Sequence, residues 1–461
     1  MRIRVGKAAA ALLSTLALWG CGGGEAPPPA APPPRPNVVV VLVDALRAQS
    51  LGLYGYDRKT APHVAAFARG GYVFDHAYAQ APCTFPSVNS ILTSRPPLEF
   101  VGQPDGRLGI PDGIPTLPEI LRAHGYSTAA ISASPIVRRT PSGFNPHGGF
   151  GRGFERFNEA CLWNRATCVN QRVRRMLPHL PEPFFLYLHY MDVHGPYRPP
   201  ETWPRKFAVD PYRGTTEGVA TGDPNPIEAL LSGGTDPDSI PRAAVEHLRD
   251  LYDEEIAFFD AHFQVLLDEL RRRGRLDRTL FVFLADHGEQ FLEHGEVKHC
   301  HSVFDVETRV PLIVRLPREL EKLPPRRIES PVANLDVLPT ILDYLRIEPP
   351  AGLEGKSLRP AIDDRTAVHG AVFSSWGGQR AARGERYKLI LQLGNGSRQL
   401  FDLASDPGET RDVLDEHRKI AHRLARELSH WLRDVEGKTK RGADIRDSEA
   451  LDRLRSLGYI Q

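Results

Sequence analysis

Seven residues, Asn37 to Val43 (NVVVVLV), set the tightest limit on what this chain can fold into. β-Branched side chains suit a pleated strand, and a run without polar alternation must be covered on both faces. That is the situation of a parallel strand inside an α/β sandwich. The pattern recurs with helices between. Pro62 to Arg69, about 86 to 94, and Thr116 to His124 read as helices, and Ser127 to Ile131 as a strand. Pro183 to His189 (PFFLYLH) and Thr279 to Leu284 (TLFVFL) read as buried strands, with a long amphipathic helix from Ala243 to Arg273 between them. This alternation predicts an α/β fold with a mostly parallel central sheet flanked by helices. Such sheets gather ligands at the carboxyl ends of their strands. Asp44, the stretch His189 to His194, and Asp286 all fall at or just past such ends.

Residues 208–242, rich in Gly, Pro, Asp and Thr, read as a surface insertion. Beyond residue 347 the texture changes to short strands (Ala371 to Ser375, Tyr387 to Gln392, Gln399 to Asp402) and a helix from Arg411 to Val435. The expected organisation is a main domain over 37–347 and a smaller C-terminal α+β subdomain over 348–461. The net charge of +1 across 461 residues gives no global field for nucleic acid.

The N-terminus predicts export. Arg2, Arg4 and Lys7 precede an apolar run, Ala8 to Trp19, that is too short to span a bilayer and has the length of a signal-peptide core. It ends in Leu18-Trp19-Gly20-Cys21, which resembles a bacterial lipobox with Cys21 as the lipidation site. Residues 1–20 would then be a lipoprotein signal peptide and 21–36 a Gly/Pro tether. The expectation is a domain anchored to a membrane by lipid at the cell envelope, on the outer membrane or periplasmic face in a Gram-negative cell. Cys83, Cys161, Cys168 and Cys300 would share an oxidising compartment, where Cys161 and Cys168 are near enough to close a small loop. Cys83 and Cys300 flank the motifs described next, and pairing stays open at this stage.

Chemistry-bearing residues cluster at the strand ends. Asp44 closes VLVDALR. Cys83-Thr84-Phe85-Pro86-Ser87 enters a helix, with Thr84 in an N-cap position and Pro86 in the first turn. Leu284-Ala285-Asp286-His287-Gly288-Glu289 ends an apolar strand with adjacent oxygen and nitrogen ligands. Lys298-His299-Cys300-His301 and His189-Tyr190-Met191-Asp192-Val193-His194 add imidazoles. Surface solvation explains one such histidine more readily than all of them together.

Across nearly all of residues 37–435 the chain resembles the sulfatase family of the alkaline phosphatase superfamily. The resemblance rests on NVVVVLVDALRAQSLGLYGY, the segment TAPHVAAFARGG to CTFPSVNSILTSRPP, LHYMDVHGPYRPP, TLFVFLADHGEQFLEHG, TRVPLIVRLP, LDVLPTILDYL, and YKLI with LFDLASDPGET. It implies a central sheet flanked by helices plus a C-terminal subdomain with a small antiparallel sheet. Two positions depart from it. Sulfatases carry Cys or Ser, converted to formylglycine, two residues before the Pro and an Arg two after; here those positions hold Thr84 and Val88. Asp44 also stands alone where many sulfatases have tandem acids.

A threonine there resembles the superfamily's phosphoryl enzymes. The resemblance implies Asp44, Thr84, Asp286 and His287 as ligands of one divalent metal, with Thr84 as nucleophile and a second metal an option. Mixed oxygen and imidazole donors suit Zn²⁺ or Mn²⁺ better than Ca²⁺. His194 and His299, with His301 as a rival, would face the substrate and assist catalysis, and Lys298 would help bind it. Two carboxylates and an alkoxide against one metal disfavour a dianionic substrate unless Lys298 or a second metal compensates. The expected substrate is therefore an anionic ester with a single charge, a phosphodiester first, for hydrolysis or transfer. Sulfuric or phosphonate ester cleavage is the alternative, and a non-catalytic binding lipoprotein the third reading.

Overall fold

A computed structural model describes residues 35–99, 110, 113–142, 145, 149–161, 165–208 and 240–438. The expected leader and Cys21, almost all of the tether and of the insertion, and the tail beyond 438 lie outside the described residues.

In chain order the strands are β1 (Asn37–Val43), β2 (Tyr72–Tyr78), β3 (Ser127–Ser132), β4 (Arg156–Asn158), β5 (Phe184–Tyr190), β6 (Thr279–Ala285), β7 (Gln290–Phe291), β8 (Val297–Lys298), β9 (Arg309–Arg315), β10 (Arg327–Ile328), β11 (Val332–Ala333), β12 (Val372–Trp376), β13 (Gln379–Arg383), β14 (Tyr387–Gln392) and β15 (Arg398–Asp402). The helices are α1 (Pro62–Ala68), α2 (Thr84–Thr93), α3 (Leu117–Ala123), α4 (Ala166–Met176), α5 (Arg242–Arg272), α6 (Asp305–Thr308), α7 (Val337–Tyr344), α8 (Arg359–Asp363) and α9 (Arg418–Lys438).

Among the described residues, nine strands make one sheet in the order β10-β2-β9-β6-β1-β5-β3-β4, with β11 also on β2. β1 lies at its centre, parallel to β5 on one side and β6 on the other. β9 is the dissenting strand, antiparallel to both β2 and β6. Every residue of β1, β5 and β6 is buried, as the unbroken apolar runs require.

The long helix α5 covers one face. Its buried Leu248, Tyr252, Ile256, Phe259, Phe263, Leu266 and Leu270 recur at helical spacing. Phe263 packs edge-on against Phe283 of β6 at 5.2 Å between ring centres. At the other end of this stripe the Tyr252 hydroxyl donates to the Ala45 carbonyl (2.7 Å) and accepts the Arg47 amide (3.1 Å). The same apolar face that anchors α5 thus also fixes the loop leaving β1.

The C-terminal subdomain is an antiparallel sheet, β12-β13-β14-β15, covered by α9 through Leu424 and Leu428 against Leu389 and Leu400. The sequence predicts this helix from Arg411; it starts at Arg418. Residues before it are held otherwise: Asp406 accepts the Thr410 and Arg411 amides (2.8 Å each), and the Val413 amide donates to Leu400 (2.8 Å). The subdomain meets the main sheet through a buried ionic cluster. Lys388 lies 2.7 Å from Asp305 and 2.8 Å from Glu409, and Arg383 donates to the Tyr78 hydroxyl (2.7 Å), which donates to Asp305 (3.0 Å).

Candidate metal and active centre

Asp44 and Asp286 emerge from neighbouring strands in step, since Val43 pairs with Ala285. Asp286 uses Oδ1 to accept the amides of Ala45 (3.2 Å) and His287 (3.0 Å). Its Oδ2 is buried and has no hydrogen-bond partner. The His287 ring donates from Nδ1 to the Gly288 carbonyl (2.9 Å), so Nε2 carries the lone pair and faces inward. That Nε2 is 3.5 Å from an oxygen of each aspartate. Ligand atoms of Asp44, Asp286 and His287 all lie within 4.8 Å of one another. Two buried carboxylates, one with an orphaned oxygen, and an inward imidazole lone pair fit a divalent cation.

Charge tells the same story. Burial and the Asp44 carboxylate beside it push Asp286 well above the ordinary carboxyl range. Asp44, equally buried, is held low because His189 and neighbouring imidazoles outweigh its desolvation. No lysine or arginine pairs with either carboxylate among the described residues, and a cation would supply that charge. The turn is built for this placement. Gly288 sits so close to α6 that a Cβ would stand 2.1 Å from the Val306 carbonyl. Its amide and that of Glu289 donate to Glu307 (2.8 Å) and Val306 (3.0 Å).

Thr84 is not the N-cap that the sequence predicts. Cys83 takes that place, with extended φ −140° and ψ 143°, and its carbonyl accepts the Ser87 amide at 3.1 Å. Thr84 is the first helical residue, which turns its hydroxyl away from capping and toward the acids. Oγ1 lies 3.4 Å from both Asp44 oxygens and 3.1 Å from His287 Nε2. Ser87, one turn on, donates to the Asp286 carbonyl (2.6 Å). Val88, at the position where sulfatases carry Arg, is fully buried in the core. Both cysteine pairs left open by the sequence are bridged, Cys161 to Cys168 and Cys83 to Cys300.

The other predicted residues divide into two groups. His299 packs between His287 (4.4 Å between ring centres, tilted) and His194 (4.9 Å, edge-on), so these three imidazoles form one wall. Burial lowers the pKa of His299 well below its ordinary value and takes His194 down to about 4. His301 lies at the rim instead, one-third exposed and 3.7 Å from Glu296. Lys298 is half-buried, and its charge bears on both Glu289 and His299.

Two further residues complete the centre, and the sequence reading gives them no role. Glu289 accepts from His299 Nδ1 (2.9 Å) and from the Tyr197 hydroxyl (2.7 Å), which turns His299 Nε2 toward the wall. His189 donates from Nε2 to Asp44 (2.9 Å) and is paired through Nδ1 with the Tyr187 hydroxyl (3.0 Å). The signal was present: Tyr187 and His189 share one face of a strand whose other neighbours are apolar, so each needs a buried partner.

Carboxylates, an imidazole and an alcohol converging at the carboxyl edge of a mostly parallel sheet define a hydrolase-type centre in an α/β sandwich. Residues 36–347 match the sulfatase family, and residues 293–436 match the C-terminal region of N-sulphoglucosamine sulphohydrolase. The chain belongs to the sulfatase family. It is 24% identical over 453 residues to an arylsulfatase of Clostridium perfringens, covering 82% of this chain and 90% of that one. A choline-sulfatase of Rhizobium meliloti is 24% identical over 484 residues, 92% of each chain. Among solved structures, a 2-O GAG sulfatase superposes with a TM-score of 0.70 at 20% identity, covering 89% of this chain and 96% of its own. The phosphonate monoester hydrolase of Agrobacterium radiobacter gives 0.70 at 19% identity, covering 88% and 96%. At these identities the structural likeness establishes the fold.

Proposed function

We propose that this chain hydrolyses a singly charged sulfuric or phosphonic ester, with Thr84 as the attacking oxygen. The observation that carries the reading is the Thr84 hydroxyl, buried and within 3.4 Å of both Asp44 oxygens and 3.1 Å of His287. The relatives' activities, sulfatase and phosphonate monoester hydrolase, support this ester class. The charge argument that favours a phosphodiester does not separate it from these, because a sulfate monoester and a phosphonate monoester also carry one negative charge. The relatives therefore move the preference to the sulfuric and phosphonic esters.

Asp44, Asp286 and His287 would hold a divalent cation, Zn²⁺ or Mn²⁺ by their donor set, which supplies Lewis-acid charge that acidifies a nearby hydroxyl and polarises the ester oxygen. The protein's own residues do the rest. Asp44, fixed by His189, and His287, fixed through Gly288, hold Thr84 Oγ1 in the attacking position. Attack at sulfur or phosphorus forms a Thr84 ester as the substrate's oxygen departs. His299, held neutral by burial with its Nδ1–H on Glu289, would take the Thr84 proton at Nε2 and pass it to the departing oxygen, with His194 packed beside it. Water then opens the Thr84 ester and restores the hydroxyl. Lys298 adds positive charge for the anionic substrate. Export and lipid anchoring through Cys21 belong to the same proposal, which places the enzyme at the envelope.

A phosphodiester is the second reading, favoured by one observation. Thr84 carries a single hydroxyl, so its covalent ester must be opened at the central atom, which is easier at phosphorus than at sulfur. The test is metal content of the protein without its leader, with rates on p-nitrophenyl sulfate, p-nitrophenyl phenylphosphonate and bis-p-nitrophenyl phosphate. Bound Zn²⁺ or Mn²⁺ with a rate on the first two exceeding the third, lost roughly a thousand-fold or more in Thr84→Ala, is the expected result. Diester cleavage as the fastest rate selects the second reading. Full turnover in Thr84→Ala removes the nucleophile, and no turnover on any ester removes the enzyme.

A further inference from the structure

The Cys83–Cys300 bridge lies where a purely stabilising crosslink has no reason to be. Its two halves are the immediate chain neighbours of Thr84 and His299, both of which approach His287. The Cα atoms are 5.0 Å apart across a sequence separation of 217, and both cysteines are buried. Chain, sulfur bridge and chain therefore link the attacking hydroxyl to the wall imidazole through one short covalent path.

The backbone on the imidazole side needs such restraint. Lys298 and Cys300, the residues before and after His299, both have φ of +70°, a left-handed conformation uncommon for residues with a Cβ. Such conformations persist only where surrounding structure over-determines them. Here the restraints converge on Cys300. Its amide donates to the Pro82 carbonyl (3.0 Å), its carbonyl accepts from Trp376 Nε1 of the C-terminal sheet (2.6 Å), and its side chain is bridged. Cys83 in turn is the N-cap of α2, whose carbonyl takes the Ser87 amide.

We propose that the Cys83–Cys300 disulfide is a positioning clamp, which sets the spacing between Thr84 and His299 and makes efficient turnover depend on its formation. The inference rests on the reading of Thr84 as nucleophile and His299 as its assisting imidazole. It also assigns the two bridges different work, since Cys161–Cys168, closing a loop of sequence separation 7, touches neither residue. A misplacement of about 1 Å in an attacking geometry lowers rate about 100-fold.

The experiment compares wild type, Cys83→Ala/Cys300→Ala and Cys161→Ala/Cys168→Ala, all well below their melting temperatures. Amide hydrogen exchange at residues 87 and 300 is measured alongside kcat and KM on the best ester. A clamp predicts that the first variant exchanges at least about ten-fold faster at both amides and loses about 100-fold in kcat, with KM within about two-fold. The second variant leaves all three unchanged. If the first variant does not fold, Cys83→Ser/Cys300→Ser takes its place, since serine keeps a side chain close to the size of cysteine at both buried positions. Unchanged exchange and unchanged kcat in a folded variant overturn the clamp, as does a change in KM alone. Wild type without ester turnover overturns the functional reading and with it the clamp's effect on rate, whereas normal wild-type turnover with an unaltered first variant overturns the clamp alone.

Discussion

The ionic cluster at the subdomain junction and the one at the strand ends, both buried, are wired in opposite ways. At the subdomain junction, Asp305 and Glu409 face Lys388, with Arg383 close by through Tyr78, so two acids meet two fixed cations. The Lys388 and Arg383 charges overcome burial and hold Asp305 below its ordinary value, while burial lifts Glu409 to about 7 despite the same lysine. At the strand ends, Asp44 and Asp286 face imidazoles but no lysine or arginine in hydrogen-bonding range among the described residues, and Asp286 Oδ2 is left without a partner. The fold supplies one buried pair with lysine and arginine from its own chain and leaves the other without them, a charge pattern that a bound cation would complete. Burial of acids is common to both; the missing counter-charge is what marks chemistry.

The sharpest break between the clusters is Asp286→Asn. It should release the bound cation and lower turnover roughly a thousand-fold, about 4 kcal/mol in barrier. The metal-free variant should melt no lower than the metal-free wild type, because removing a carboxylate that repels Asp44 relieves strain. Elemental analysis and calorimetry read both effects, and a lower melting temperature without metal would place Asp286 with the structural cluster instead. Lys388→Met should do the reverse, costing about 3–5 kcal/mol by leaving Asp305 and Glu409 without their shared cation. Its kcat per folded molecule should stay within about two-fold, measured by denaturant unfolding beside steady-state kinetics.

Glu289→Gln should have an intermediate effect, loosening His299 while leaving the metal ligands alone. The expected loss is about ten-fold in kcat with metal content unchanged. The smallest effect tests a third arrangement, in which Glu293 lies 2.7 Å from Arg47 and 2.9 Å from Arg249. Burial would raise its pKa, but the two guanidiniums win and hold it at about 2. A depressed carboxyl contributes stability that is present above its unfolded value near 4.5 and lost as pH falls toward about 2. Glu293→Gln should flatten that acid limb by on the order of 1 kcal/mol, since the group is partly exposed and screened. An unaltered acid limb would show that the pair adds nothing to folding.

The sheet was legible in the sequence because its central strands are buried on both faces, and unbroken runs such as NVVVVLV can do little else. The meeting of Asp44 with Asp286 and His287 was legible because these residues end such runs. What escaped was everything that depends on one residue of offset or on contact across long separations. Thr84 and Cys83 compete for the cap position, and only the backbone angles at Cys83 decide between them. Glu289 and His189 look like ordinary polar residues beside stronger motifs, and their roles exist only through partners that the fold brings together. His301 matched His299 in the sequence, but the turn after β8 points one imidazole at the wall and the other at Glu296.

The register of the three central strands carries a consequence for how such a protein diversifies. Asp44 and the Asp286-His287 pair, with His189 behind them, are set by β5, β1 and β6 running side by side in step, Val43 opposite both Tyr190 and Ala285. Their spacing belongs to a ladder of backbone bonds in the middle of the core and owes little to the long connections at the rim. Thr84 and His299 lie outside that ladder, one entering α2 and one in the turn after β8, and are held by their own contacts, the Cys83–Cys300 bridge among them. The acids and the alcohol thus answer to different restraints, so that a change at the rim can shift Thr84 and His299 while Asp44 and Asp286 stay in step.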